Sequence, residues 1–228
     1  MNVNKWLLMF ALTWMHPALE DVLAHTDPLK PARKVMEQID AASGGTMRVE
    51  WNEKTKTPAI WSGQLTKPSN HTPEWISFEF LKKVKSVYGL KRVDENMKVT
   101  YVDRDRSDKT IVVMQRQLYG KPVCGDGLIV EMDKSGVIRR VEGTVHAGLE
   151  QKRLNRPMYP AVSGDEAAAV ASRYVHGLYR AEEATVHACY LPNREGVPLI
   201  YVVSFNRTAD GGPASLIRVH SLTGRVIE

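Results

Sequence analysis

Residues 115–143, QRQLYGKPVCGDGLIVEMDKSGVIRRVEG, alternate apolar and polar side chains as a half-buried β-hairpin does, yet their glycines and single proline sit where a plain hairpin has no need of them. Gly120 and Pro122 bracket a tight reversal, Gly125 and Gly127 permit a bulge, and Gly136 closes the next turn after Asp133-Lys134-Ser135. Residues so placed shape a curved sheet, which can wrap a helix. Outward from this hairpin, 98–103, 110–118, 128–132 and 137–142 all repeat with period two. An antiparallel meander is the simplest arrangement of these strands, with turns at 103–108, 120–122 and 133–136.

Upstream of the meander, Ile76, Phe80, Val84 and Tyr88 recur every four residues, which predicts a helix over 73–88 with Thr72 as cap, Pro73 at the first position and Gly89 at the stop. A strand pair precedes it over 47–51 and 59–65. Residues 25–47 are mixed and weakly helical, end at Ser43-Gly44-Gly45, and read as a connector. Residues 151–162, with prolines and little periodicity, read as a linker. The second half repeats the plan: a capping box formed by Ser163 and Glu166, a helix over 165–178, and strands over 185–191, 197–205 and 216–221, with 225–228 as a fourth. The polar, Gly-rich stretch 206–213 separates two of them. Both halves are a helix followed by antiparallel strands, so the fold class is α+β with two tandem modules, 48–150 and 163–228.

The N-terminus carries one Lys and then an apolar run from Trp6 to Met15, followed by Val22-Leu23-Ala24 as a small-residue cleavage site, which makes 1–24 a secretory signal peptide and the mature protein secreted or extracytoplasmic. An amphipathic first helix is the alternative. The run is too short to span a bilayer, so no stable membrane insertion is expected. Lys and Arg exceed Asp and Glu by five charges but are scattered, whereas nucleic-acid binding wants a concentrated basic surface. Cys124 and Cys189 allow one disulfide or two buried thiols.

Catalytic signatures are lacking. The seven histidines include no i, i+4 pair and no H-E-x-x-H, the serines no G-x-S-x-G, and no glycine loop suits a phosphate. Asp103 to Asp108 begins like a calcium loop but lacks the Gly at its sixth position and the Glu at its twelfth, where Met114 stands. Neither Cys is tied to a His by a known spacing. No cofactor or metal and no enzyme activity are expected. Trp51, Trp61 and Trp75 belong either to the core or to a contact surface.

Gln117, Tyr119, Gly120, Pro122, Val123, Gly125, Leu128, Val130, Asp133, Gly136, Val141 and Gly143 together resemble the N-terminal propeptide (FTP domain) of thermolysin-like and fungalysin metalloproteases. AIWSGQL and SVYGL upstream resemble the opening of that module, while SGDEAAAVASRYV and LIRVHSLTGRVIE resemble the PepSY domain that follows it. The resemblance implies a cystatin-like half-barrel in each module and a thermolysin-like zinc metalloprotease as partner. In such precursors a catalytic domain follows, whereas this sequence stops at Glu228. The expectation is therefore a non-catalytic, stand-alone propeptide acting in trans as inhibitor or folding chaperone. A cell-envelope binding module and an inactive precursor remnant are the alternatives. Arg225, Val226, Ile227 and Glu228 are the candidate protease-contacting tail, lying in the cleft like a product; otherwise they complete the last strand, with Val226 inward.

Overall fold

A computed structural model describes residues 30–104, 108–175, 179–206 and 215–227. The expected signal peptide, Glu228, most of the 206–213 stretch and the end of the helix expected to reach 178 lie outside the described residues. The architecture is α+β.

The stretch read as a connector contains a helix, α1 (Lys30–Ala42). Ala32, Val35, Met36 and Ile39 recur at helical spacing, and Ala32 and Ile39 are buried in the main core. Strands β1 (Arg48–Trp51) and β2 (Pro58–Ser62) follow as an antiparallel pair. Helix α2 (Pro73–Val84) starts as its sequence directs, with the Trp75 amide donating to Thr72 Oγ1 at 3.3 Å. It ends short of the expected Tyr88. The last turn tightens as the Val87 amide bonds the Val84 carbonyl, and the Leu90 amide reaches back to Lys85 across Gly89, whose φ is 63°. Tyr88 lies beyond the helix yet is fully buried.

A short helix α3 (Val93–Asn96) leads into β3 (Met97–Asp103), β4 (Lys109–Leu118), β5 (Lys121–Asp133) and β6 (Ile138–Thr144). The order is β3-β4-β5-β6-β2-β1, antiparallel throughout. Val112, Met114, Leu128, Val130 and Val141 face the helices and pack with Phe80, Leu81, Val84 and Trp61. Alternation therefore turns Ile60, Val113 and Ile129 to the opposite face, called the helix-free face below because no helix among the described residues covers it.

After β6 come α4 (Leu149–Lys152) and α5 (Gly164–Tyr174). A 3₁₀ turn then leads to β7 (Thr185–Tyr190), β8 (Leu199–Phe205), β9 (Ser215–His220) and β10 (Val226–Ile227). The capping box at α5 is complete: Ser163 Oγ accepts from the Glu166 amide at 3.2 Å and Glu166 Oε2 accepts from the Ser163 amide at 2.7 Å. Ala167, Ala168 and Ala171 pack the helix against Val203, Phe205 and Val219.

The two groups of strands form one hydrogen-bonded path rather than two separate sheets. A single parallel pairing between β5 and β7, at Val123 and Tyr190, links them. The stretch read as a linker is held down on the second group: the Met158 amide donates to Tyr190 Oη at 3.0 Å, and the Ala161 and Val162 amides to the Ser221 carbonyl at 2.9 Å.

Candidate functional surface

The expected turn at Gly120-Lys121-Pro122 is one residue earlier. Tyr119 and Gly120 form a two-residue hairpin loop, with positive φ of 49° and 73° at its two central positions, as a type I′ turn demands. Lys121 and Pro122 already belong to β5, opposite Leu118 and Gln117. Between the pairs Gln117–Pro122 and Gln115–Gly127 the two strands fall out of step, and Val123, Cys124, Gly125 and Asp126 bulge opposite Arg116. Gly125, at φ 74°, turns the chain there. Gln115 substitutes for the interrupted ladder: its side-chain amide donates to the Val123 carbonyl at 2.9 Å and to the Asp126 carbonyl at 2.6 Å.

The bulge has two consequences. It lets the first residues of β5 serve the second group of strands while the remainder serves the first. It also turns charged side chains inward. Arg116, fully buried, donates to Glu150 Oε1 at 3.2 Å and to the Asn96 carbonyl at 3.2 Å, and Asn96 Nδ2 donates to the same carboxylate at 3.1 Å. Burial pulls the Arg116 pKa down, and the Glu150 carboxylate opposes that pull. Asp126 is buried as well. Its oxygens accept from the His146 amide at 2.7 Å and meet His146 Nδ1 at 2.6 Å. Burial raises its pKa against those stabilising bonds. A guanidinium without solvent needs such a partner, so the network ties the hairpin to α3 and α4.

Cys124 in the bulge is disulfide-bonded to Cys189 in β7, which decides between the two possibilities left open by the sequence. The bond and the Val123–Tyr190 pairing lie side by side, and Leu118, Val123, Leu149, Tyr190, Val197 and Leu199 form an apolar cluster shared by both groups.

On the helix-free face the bulge sits between two shallow troughs. One, of about 580 Å³, is lined by Ile60, Val113, Ile129 and Glu142. The other, of about 490 Å³, is lined by His187, Val202, Leu216 and Arg218. Gln115 and Gly125 line both. Leu216 is 56% exposed, a large apolar side chain presented to solvent at the rim.

The signature residues Gln117, Tyr119, Gly120, Pro122, Val123 and Gly125 gather at this hairpin, with Tyr119 packed edge-on against Tyr190 at 6.2 Å. Gly136 and Gly143 lie elsewhere and act through the backbone: a Cβ at Gly136 meets the Ser69 carbonyl, and one at Gly143 the Gly127 carbonyl. Gln115, Arg116, Asp126, His146 and Glu150 were not singled out by sequence; the crowded Gly125-Asp126-Gly127 after Pro122 is the one local sign of the bulge that organises them. Of the tail, Val226 and Ile227 pair with Val219 and Arg218, and it is Ile227 that is buried, against Cys189 and Ile200. The Arg225 carbonyl accepts from the His220 amide at 2.8 Å. Trp61 belongs to the core, while Trp51 and Trp75 are about half exposed. Among the described residues no group of three His, Cys, Asp or Glu side chains is placed to hold a metal, and no helix is long and apolar enough to cross a membrane.

No family model matches the chain. Over 106 residues it is 32% identical to bacillolysin from Bacillus cereus, a thermolysin-like protease. The match takes in 45% of this chain and 19% of bacillolysin, so the chain spans about a fifth of the length of that relative. It therefore contains a protease-related region.

Proposed function

We propose that the chain is a secreted, non-catalytic, propeptide-like protein that binds a thermolysin-like zinc metalloprotease in trans, as an inhibitor, a folding chaperone or both. The observation that carries this reading is the 32% identity with bacillolysin over 106 residues, a stretch amounting to 19% of that protein. In this reading 48–150 is an FTP-like module and 163–228 a PepSY-like one, each a cystatin-like half-barrel around its helix. The Cys124–Cys189 disulfide supports secretion, because disulfides persist in oxidising compartments.

The helix-free face is the docking surface in this reading. It offers half-buried apolar side chains from β2, β4 and β5 beside exposed Leu216, in an arrangement that a convex partner can cover. A product-like tail is a second contact only if β10 lifts off β9 and exposes Ile227, so the face takes precedence.

The test mixes the purified chain with bacillolysin and measures complex formation by calorimetry, peptide hydrolysis, and recovery of activity when denatured bacillolysin is refolded beside it. Binding is expected, with slower hydrolysis or faster recovery, and Val113→Asp combined with Leu216→Asp should weaken it about tenfold or more through buried unpaired charge. No complex and no change in either activity would remove the proposal.

A further inference from the structure

A third cleft adjoins the larger of the troughs on the helix-free face at Thr144, where the two groups of strands meet. Its volume is about 720 Å³. The β1–β2 turn contributes Asn52, Lys54 and Thr55; the chain after β6 contributes His146; α4 contributes Lys152; and the β7–β8 turn contributes Arg194. Three cations thus face one carboxylate, Glu195, across a space assembled from both groups.

These walls are held in place. Asn52 Oδ1 accepts from the Lys54 and Thr55 amides at 3.0 and 3.2 Å, and Thr57 Oγ1 donates to the Val145 carbonyl at 2.9 Å, which fastens the first turn beside His146. The second turn is closed by the Val197 amide donating to the Arg194 carbonyl at 3.0 Å. His146 is fixed by Asp126, which takes Nδ1 and leaves Nε2 as the ring nitrogen without a hydrogen-bond partner among the described residues.

Some cations of the protein are already neutralised, and those of the cleft are not. Lys82, Arg104, Lys109, Arg116, Arg139 and Arg140 are ion-paired. Lys54, Lys152 and Arg194 have no carboxylate within ion-pair distance among the described residues, Glu195 included. Unneutralised cations gathered from two turns and one short helix create a local positive potential that attracts and orients an anionic chain.

We propose that this cleft binds an acidic peptide segment, its carboxylates held by Lys54, Lys152 and Arg194, with the His146 ring beside them. The segment belongs to the partner protease, a point that rests on the function proposed above. The open cleft admits several consecutive side chains, and the amides of Asn52 and Asn193 suit the peptide backbone between them.

The first arm of the test measures binding of a fluorescein-labelled oligo-glutamate peptide to the full chain by anisotropy at low salt. The combination Lys54→Ala, Lys152→Ala and Arg194→Ala should weaken it about tenfold, the size expected of three partly screened charge pairs. A control with Lys34, Lys83 and Lys98 changed to Ala removes the same net charge from other surfaces and should bind like the wild type. Equal losses in the two variants, or none in either, overturn the proposal, as does binding of polyphosphate but not of the peptide. The second arm repeats the bacillolysin titration with the cleft variant. Weakened binding supports the proposal; unchanged binding overturns it while leaving the propeptide-like function standing. A wild type that ignores bacillolysin but binds the peptide through these residues removes that function instead and keeps the cleft's preference for acidic peptides.

Discussion

The first group of strands and the second hold their helices in different ways. Under β1–β6 lie Trp61, Phe80, Leu81 and Tyr88 with two turns of α1, a deep core of large side chains. Under β7–β10, α5 presents Ala167, Ala168 and Ala171, which bring the helix close to the sheet but bury little apolar area. The shallow half is completed from outside: by the cluster around Val123 and Tyr190, by the disulfide, and by the 151–162 stretch bonded across it. One half is held by its own interior, the other by its attachment to its neighbour.

The largest blow to this contrast is Trp61→Ala. The side chain is fully buried and meets Phe80 edge-on at 5.9 Å, so its removal should cost about 4 kcal/mol, read as a fall in the denaturant midpoint. A loss below about 1 kcal/mol would show that the first core is not what holds that half. Next comes the attachment. Replacing Cys124 and Cys189 by Ala opens a link between residues 65 apart and should cost about 3 kcal/mol. In hydrogen exchange the loss of protection should fall on β7–β10; equal loss in β3 and β4 would break the contrast.

Two glycines sharpen it within the first half. Gly136 and Gly120 have nearly the same positive φ, 74° and 73°. A side chain at Gly136 meets the Ser69 carbonyl and, at 3.2 Å, Ile76 Cδ1, whereas one at Gly120 enters open space. Gly136→Val should therefore cost about 3 kcal/mol and Gly120→Val only about 1 kcal/mol, the backbone strain alone. Melting temperatures in the reverse order would reject this account of the turns.

The smallest effect is acid sensitivity at the β5–β6 turn. Burial works against the Asp133 carboxylate, but the Ser135 hydroxyl, Arg139 and the Val137 and Ser135 amides outweigh it and hold the pKa down to about 2. A group with a depressed native pKa contributes stability above its unfolded value near 4, and the contribution fades as pH falls toward 2. Asp133→Asn should flatten the stability curve in that window only; an unchanged slope there would place the acid sensitivity elsewhere.

Much of this was legible locally. Thr72-Pro73 and Ser163 with Glu166 mark helix starts, and period-two runs mark the strands, because capping and alternation depend on neighbours in sequence. The α1 helix was underestimated because its apolar stripe is narrow and gains its meaning only against the core that receives Ile39. The site was less legible than the fold. Arg116 reads as one more strand charge until Glu150, 34 residues later, is placed beneath it.

Residue chemistry alone set the strand segments, the starts of α2 and α5, and where glycine must relieve the backbone. Tertiary structure decided that β5 serves two groups of strands, that Cys124 meets Cys189, that Arg116 and Asp126 turn inward, and that Lys54, Lys152 and Arg194 face one cleft. The reason is the range of the interactions. Caps and turns are satisfied within a few residues, whereas pairing, burial of charge and the assembly of a cleft join segments distant in the chain, and only the folded path brings these within bonding distance.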